Sequence, residues 1–401
     1  MIKVVEAEAI IQAQARNYGV EVVPLEQALG RVLAVELTAD RDLPPFNRVA
    51  MDGIAIKYDA FESGTRSFRI QATQAAGDKP AEVFAADACV EIMTGAALPS
   101  MLDTVVRYED LEIKDGVATV LTDAVKQGQN LHQQGKDKKV GEVVAPANKL
   151  IDAALIGVAA SVGATALRVK TLPKVVVIST GDELVEVQEA PLPYQIRRSN
   201  SYTIQAALQQ YGIQAAQLHI PDDKESIKHQ LAGCLQAYDV LLLSGGISMG
   251  KYDFVPQVLE ELQVSKLFHK VQQRPGKPFW FGKHANGVLV FALPGNPVST
   301  FMCFHRNFVP WLKASIGLPV TQAFAALSTD FAFEPDLQYF LQVSISINTN
   351  GQLVATPLVG NGSGDFANLV EADAFLELPA EKRNFKQGEV YRIWPFKPVL
   401  Y

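Results

Sequence analysis

The sequence predicts a multidomain chain of the α/β plus β class: a central doubly wound α/β domain, a small β-rich domain, an N-terminal helical or mixed domain and a C-terminal β domain. Three observations carry this reading. Strand-like and helix-like segments alternate from Leu172 to Ile316, the pattern of a mostly parallel sheet covered on both faces. Short β runs separated by turns occupy the stretch from Asp52 to Asp137 and return after Leu318-Pro319. The chain has 401 residues, too many for one hydrophobic core, so roughly two to four domains are expected.

The elements follow in order. Apolar spacing predicts an amphipathic helix over 4–18 and a second over 25–33, with Gly30 near its end. Pro44-Pro45 breaks that pattern. Ile54-Ala55-Ile56, Phe68-Arg69-Ile70, Thr104-Val105-Val106 and Val117-Ala118-Thr119-Val120 read as strands. A helix is expected over 149–162. The α/β stretch reads as strand 174–178, helix 200–211, strand 214–219, helix 223–236, strand 239–243, helix 253–262, strands near 267–271, 279–282 and 288–291, and a helix over 298–316. Ser199 or Asn200 caps the first of these helices, and Pro221-Asp222-Asp223 opens the second. Strands are expected near 339–347, 353–357, 374–378 and 390–394.

Composition narrows the classes of function. Hydrophobic residues make up 48% and charged residues 20%, as in a soluble globular protein. Forty-three acidic against 36 basic residues give a net charge of −7, which argues against a general nucleic-acid binder but leaves room for a locally basic pocket. Cys89, Cys234 and Cys303 form no metal-ligand or disulfide pattern; buried thiols in a reducing cytoplasm are expected. The N-terminal residues lack the apolar core of a signal peptide, and no apolar run is long enough to span a membrane. The six histidines show no metal-ligand spacing, and no Ser-His-Asp or Cys-His order emerges.

Chemistry concentrates at three strand ends. Val175-Val176-Val177-Ile178 runs into Ser179-Thr180-Gly181-Asp182-Glu183, which sets two carboxylates beside a donor-rich turn. Carboxylates near a phosphate call for Mg²⁺ or for ligand hydroxyl and amino groups; capping of the next element is the competing reading. Val240-Leu241-Leu242-Leu243 runs into Ser244-Gly245-Gly246-Ile247-Ser248-Met249-Gly250, with Asp253 three residues on. Successive small residues can aim backbone N–H groups into an anion-binding nest. The Gly-Lys-Ser/Thr ending of a nucleoside-triphosphate loop is absent, and no Gly-x-Gly-x-x-Gly fingerprint follows the first strand. Val288-Leu289-Val290-Phe291 runs into Ala292-Leu293-Pro294-Gly295-Asn296-Pro297, and Pro297 suits the first turn of the helix that follows. Between them, Arg274-Pro275-Gly276-Lys277-Pro278 sets two cations around a rigid turn. Both can face one anion, Arg bidentately and Lys as a point charge, or the turn can simply lie in solvent. Ala50-Met51-Asp52-Gly53 and Met93-Thr94-Gly95-Ala96 are short glycine turns that alone read as ordinary β-turns.

Taken in order, these motifs, with Gly135-Lys136-Asp137, resemble the molybdopterin molybdenumtransferase family (MoeA and the gephyrin E domain) over nearly the whole chain. The resemblance implies an elongated homodimer with four domains per chain: 1–50 with 138–170, an inserted β-rich domain at 51–137, a molybdopterin-binding α/β domain at 171–317, and a barrel-like β domain at 318–401. It implies insertion of molybdate into adenylylated molybdopterin with release of AMP, assisted by Mg²⁺, in a cleft shared between subunits. Carried over by position, Ser179, Thr180, Gly181, Asp182 or Glu183, Ser244, Gly245, Gly246, Ser248, Asp253, Pro294, Gly295, Asn296 and Pro297 hold the pterin and nucleotide. Lys277, Pro278 and Ser363 face molybdate, Arg274 is a further cofactor-binding residue, and Glu183 and Asp253 are the candidate Mg²⁺ ligands. Asp52, Thr94 and Asp137 reach in from the second copy. The residues implied to carry the reaction are Asp52, Asp137, Asp182, Glu183, Asp253 and Lys277.

The chain departs from the family pattern at four places. Val49 and Ile54 flank Ala50-Met51-Asp52-Gly53 where Ser and Tyr are usual, and Arg274 replaces a lysine. Phe340-Leu341-Gln342 stands where the family often has Phe-x-Arg, and losing one charge-assisted hydrogen bond costs about 1.5–3 kcal/mol. That change favours an alternative role as a non-catalytic molybdopterin carrier. A molybdopterin adenylyltransferase, which shares the α/β unit, is a third reading, opposed by the N-terminal extension and the C-terminal β domain. Protein partners implied by the resemblance are a molybdopterin adenylyltransferase and downstream molybdoenzymes.

Overall fold

A computed structural model describes residues 1–247, 253–360 and 362–397. The chain divides into two compact units: Met1–Ala34 with Asn148–Asp152 and Arg168–Tyr401, and Val35–Ala147 with Ala153–Leu167.

The first unit is built on a six-stranded sheet in the order Ala216–Ile220, Val175–Thr180, Val240–Ser244, Leu289–Leu293, Trp280–His284, Val264–His269. The first four strands are parallel and the last two antiparallel. The unbroken apolar runs 175–178 and 240–243 are wholly buried, as a parallel sheet covered on both faces requires. Alternation along the strand sends Val175 and Val177 into one core and Val176 and Ile178 into another. Register aligns Ser179 with Ser244 and Ser244 with Leu293, so three strands end at one level and their turns lie side by side. Asp223 caps the helix Lys224–Ala237, accepting from the Ser226 N–H at 2.8 Å.

The helix expected over 298–316 is interrupted. Pro297–Cys303 passes through a π-turn, Phe304–Phe308, into Val309–Ser315. Pro310 has no N–H and its ring crowds the preceding turn, and a widened turn absorbs both faults. His305 is buried in this turn against Phe301, with ring centroids 4.3 Å apart, and burial pushes its imidazole down to about 3. An ordinary histidine titrates near 6.5, so below that pH the unfolded chain takes up a proton that the native state refuses. Stability from this group is present above about pH 6.5 and falls by up to ~1.4 kcal/mol per pH unit below it. Thermal melts of wild type and His305→Phe between pH 7 and 5 check this; the variant should lose less of its melting temperature.

Five strands close a barrel after residue 320. Gln338–Ile347 pairs with Leu353–Pro357 and Ala374–Leu378, and Ala323–Leu327 pairs with Leu353–Pro357 and Val390–Pro395. Val390–Pro395 pairs with Ala374–Leu378, which completes the ring and leaves no bare edge within it. A short strand, Gln273–Arg274, adds in parallel to Gln338 and Tyr339, so the cationic turn is fastened to the barrel. Arg306, buried in the π-turn, joins three parts of this unit. It pairs with Glu8 of the N-terminal helix at 2.7 Å and Glu377 of the barrel at 3.5 Å, and lies over the Trp394 ring at 4.2 Å.

Several expected elements are corrected. The first helix spans only Val4–Gln12, and 149–162 contributes only Ala153–Ser161. Over 25–33 there is one 3₁₀ turn, Leu25–Gln27. Beyond it Gly30 and Leu33 donate to the Ile151 and Lys149 carbonyls, so this segment pairs in extended form instead of coiling. Ala323–Leu327 is a strand that local pattern does not announce; barrel pairing overrides its alanine-rich composition.

The second unit holds a six-stranded sheet in the order Thr104–Arg107, Gly53–Ile56, Ala88–Ile92, Ser67–Gln74, Val117–Val120, Leu111–Lys114. Its β content agrees with the short runs read from 52–137. Among the described residues no helix is long and apolar enough to cross a membrane.

Candidate active site

A cavity of about 590 Å³ lies in the first unit, where the aligned strand ends meet the cationic turn and the barrel. Thr180, Gly245, Gly246, Gly295 and Asn296 form its floor. Gly246 has φ +69°, and a Cβ there would sit 2.8 Å from both Thr180 Oγ1 and Val255 Cγ2. Position 246 must therefore be glycine, which leaves bare backbone there for a ligand to approach. Gly246→Ala should destabilise the fold by about 1–2 kcal/mol for the left-handed conformation alone, before the clash is counted; thermal unfolding checks it. Ser179 Oγ and Thr180 Oγ1 are buried without a hydrogen-bond partner among the described residues, and Thr180 lines the cavity.

One wall is acidic. Glu183, Asp222 and Asp253 face the cavity. Burial, then the neighbouring Asp182, Glu183 and Asp253 charges, lifts the Asp222 carboxyl above the usual range. Its backbone N–H donates to Asp182 Oδ1 at 3.0 Å. Among the described residues no three His, Cys, Asp or Glu side chains converge as a ready-made ion cage.

A second part of the lining is cationic. Arg274, Lys277 and Pro278 line the cavity. Buried Gln273 props their turn from beneath, its Nε2 donating to the Gly276 carbonyl at 3.1 Å and to Cys303 Sγ at 3.4 Å. Gly276 fits because a Cβ there would lie 2.5 Å from that sulfur. Burial pushes the Cys303 thiol far up, so it stays protonated and packs as a small apolar group.

The barrel supplies Tyr339, Phe340, Gln342, Leu358, Val359 and Ser363. Asn296 Nδ2 donates to Ser363 Oγ at 2.7 Å, and the Val298 N–H to the Ser363 carbonyl at 3.1 Å, which joins the third strand-end turn to the barrel. Gln342 is buried in the cavity wall and its Oε1 accepts from Asn368 Nδ2 at 3.5 Å.

Of the residues singled out from sequence, Thr180, Gly181, Glu183, Gly245, Gly246, Asp253, Arg274, Lys277, Pro278, Pro294, Gly295, Asn296 and Ser363 all line this one cavity. Ser179, Asp182, Ser244 and Pro297 adjoin those lining residues in sequence. Ser248 lies outside the described residues. Asp52, Thr94 and Asp137 belong to the second unit. There the Asp52 carboxylate accepts from the Thr94 N–H at 2.6 Å and its hydroxyl at 2.7 Å, bonds that hold its carboxyl below the usual range. Asp137 Oδ1 lies 2.9 Å from His132 Nε2.

Three residues escaped the sequence reading. Asp222 was expected only to open a helix, yet Asp223 caps it alone and leaves Asp222 to the cavity; an Asp doublet before one helix is the signal that could have found it. Asn200 was read only as a possible cap, because its partners are remote in sequence, and Gln273 was not singled out although one of its partners, Gly276, is three residues away.

The matches to known proteins agree with this geometry. The family model for the MoeA N-terminal region (domain I and II) matches residues 2–163, that for a probable molybdopterin binding domain matches 176–314, and that for the MoeA C-terminal region (domain IV) matches 325–396. A molybdopterin molybdenumtransferase of Synechocystis is 39% identical over 394 residues, covering 98% of this chain and 99% of that protein. One from Haemophilus influenzae is 29% identical, covering 95% of each. The crystal structure of a molybdopterin biosynthesis MoeA protein from Pyrococcus horikosii superposes with a TM-score of 0.84 at 27% identity, covering 99% of both chains. With three matched regions in order and a relative alignable from end to end, the chain belongs to the molybdopterin molybdenumtransferase family, transferases of molybdenum cofactor biosynthesis.

Proposed function

We propose that the chain inserts molybdate into adenylylated molybdopterin and releases AMP. The observation that carries this is one cavity lined by three carboxylates, two cations and the glycines of two strand-end turns. The glycine turns and Thr180 suit the phosphoanhydride and pterin. Arg274 and Lys277 suit a doubly charged oxyanion, which wants cations and N–H donors. Mg²⁺ fits the acidic wall, because it needs only one or two protein carboxylates beside substrate phosphates and water. Glu183 and Asp253 are the ligands we assign to it, with Asp222 adjoining, and there it would neutralise charge on the anhydride. The chain's own work is then positioning: the floor orients the anhydride and the cationic turn holds the oxyanion.

We further propose the four-domain division at 1–50 with 138–170, 51–137, 171–317 and 318–401. The active unit would be a cytoplasmic homodimer in which Asp52, Thr94 and Asp137 of a second copy complete the cleft. Their side-chain networks support a polar, prearranged surface, with Asp52 fixed by Thr94 and Asp137 by His132. A molybdopterin adenylyltransferase upstream and molybdoenzymes downstream are the proposed protein partners.

Replacing Asp182, Glu183 or Asp253 by Ala should abolish molybdate-dependent AMP release from the adenylylated substrate. Release at the wild-type rate in all three variants would contradict the assignment. One observation favours the carrier reading: Gln342, a neutral side chain, occupies the cavity wall beside the oxyanion cations. If that reading holds, the protein binds molybdopterin without molybdate-dependent product, and Gln342→Arg creates turnover where wild type has none.

A further inference from the structure

We propose that Asn200, locked in place by the Arg198–Glu186 ion pair, is a positioning residue that fixes the nucleotide side of the cavity. The inference rests on the function proposed above for what the cavity binds. Its physical basis is independent of that.

Asn200 opens the helix Asn200–Gln209 but does not act as a cap. Its Nδ2 donates to the Gly295 carbonyl at 2.6 Å and to Ser244 Oγ at 2.8 Å, and lies 3.3 Å from Thr300 Oγ1. These partners belong to the end of one strand, the turn after another, and the helix that turn begins. One amide nitrogen thus joins two of the three strand-end turns.

The segment before it ties in the third. Ile196-Arg197 pairs in parallel with Leu184-Val185, and the Ile196 N–H donates to the Glu183 carbonyl at 2.8 Å. Arg198 is 7% exposed; its N–H donates to the Val185 carbonyl at 3.0 Å and its Nη2 meets the Glu186 carboxylate at 2.5 and 2.7 Å. One nitrogen of the buried guanidinium bridges both carboxylate oxygens, and removing Glu186 leaves that buried charge without its counterion. The acidic turn and the two glycine turns are therefore set by one strut outside the cavity. The cationic turn is held chiefly by Gln273 and the barrel, and meets the strut only through Cys303, at the far end of the helix that carries Thr300.

That separation gives the test. Asn200→Asp preserves size but replaces the donor with an oxygen that repels the Gly295 carbonyl. Hydrogen exchange on the ligand-free full-length protein should rise in segments 179–186, 240–246 and 293–300 and stay unchanged in 273–278. AMP affinity by calorimetry should fall roughly tenfold or more, while molybdate affinity is retained. Glu186→Gln should shift the same readouts in the same direction by less, and it serves if the first variant folds poorly. Unchanged exchange in all segments, or an equal rise in 273–278, would overturn the proposal. Exchange that responds as stated in a protein whose wild type binds no AMP would leave the strut standing and reject the function instead.

Discussion

Lys277→Ala is expected to lower molybdate-dependent turnover by about 10²–10³-fold, the usual loss when one preorganised donor to a developing or bound anion is removed. Lys277 lines the cavity on a turn that Gln273 and the pairing to Gln338-Tyr339 hold in place. The truncation therefore deletes a charge without releasing the loop. The only other basic side chain on that wall, among the described residues, is Arg274. Gln342 donates hydrogen bonds but carries no charge to compensate. AMP affinity should be unchanged, because the floor and the acidic wall are built from other segments. Steady-state AMP release against molybdate concentration, with calorimetry of AMP alone, separates the two effects. Equal loss of both would contradict the placement of the oxyanion at this turn.

Arg306→Ala should destabilise the first unit by about 3–5 kcal/mol, the cost of stranding buried partner charges. The guanidinium is 2% exposed and meets Glu8 and Glu377, and Glu377 is also held by Trp394 Nε1 at 2.6 Å. Removing it leaves Glu377 and Glu8 beside a packed aromatic cluster with Arg392, 3.7 Å from Glu8, as the remaining cation. The unfolding midpoint should fall by roughly 10 °C. A volume-matched apolar replacement of all three ionic groups should cost far less, because the penalty arises from uncompensated charge and not from the loss of the pair as such. Thermal and denaturant unfolding of both variants tests this. A single Arg306→Ala variant as stable as wild type would contradict the role of the junction.

What the sequence revealed depended on the range of the interactions. The buried parallel strands were legible because runs such as Val175–Ile178 and Val240–Leu243 are apolar at every position and end in small-residue turns. Their alignment followed from register, which brought Thr180, Gly245 and Gly295 to one cavity floor. The cationic turn was legible from its prolines. Other features were set by contacts far along the chain. Residues 25–33 carry helical spacing but pair with 149–151. Ala323–Leu327 carries helical composition but closes a barrel. Asn200 sits where a cap belongs and serves instead partners 44, 95 and 100 residues away. Asp222 was hidden by its neighbour, since only one of two adjacent aspartates can cap a helix. The residues that carry the chemistry were thus readable as motifs, whereas the residues that hold them in place were not.

The most direct measurement mixes the purified full-length protein with adenylylated molybdopterin, molybdate and Mg²⁺, and follows free AMP and protein-bound molybdenum together. AMP release should require molybdate and be matched by metal incorporated into the pterin. Tight binding of the adenylylated substrate with no molybdate-dependent AMP would contradict the proposed reaction.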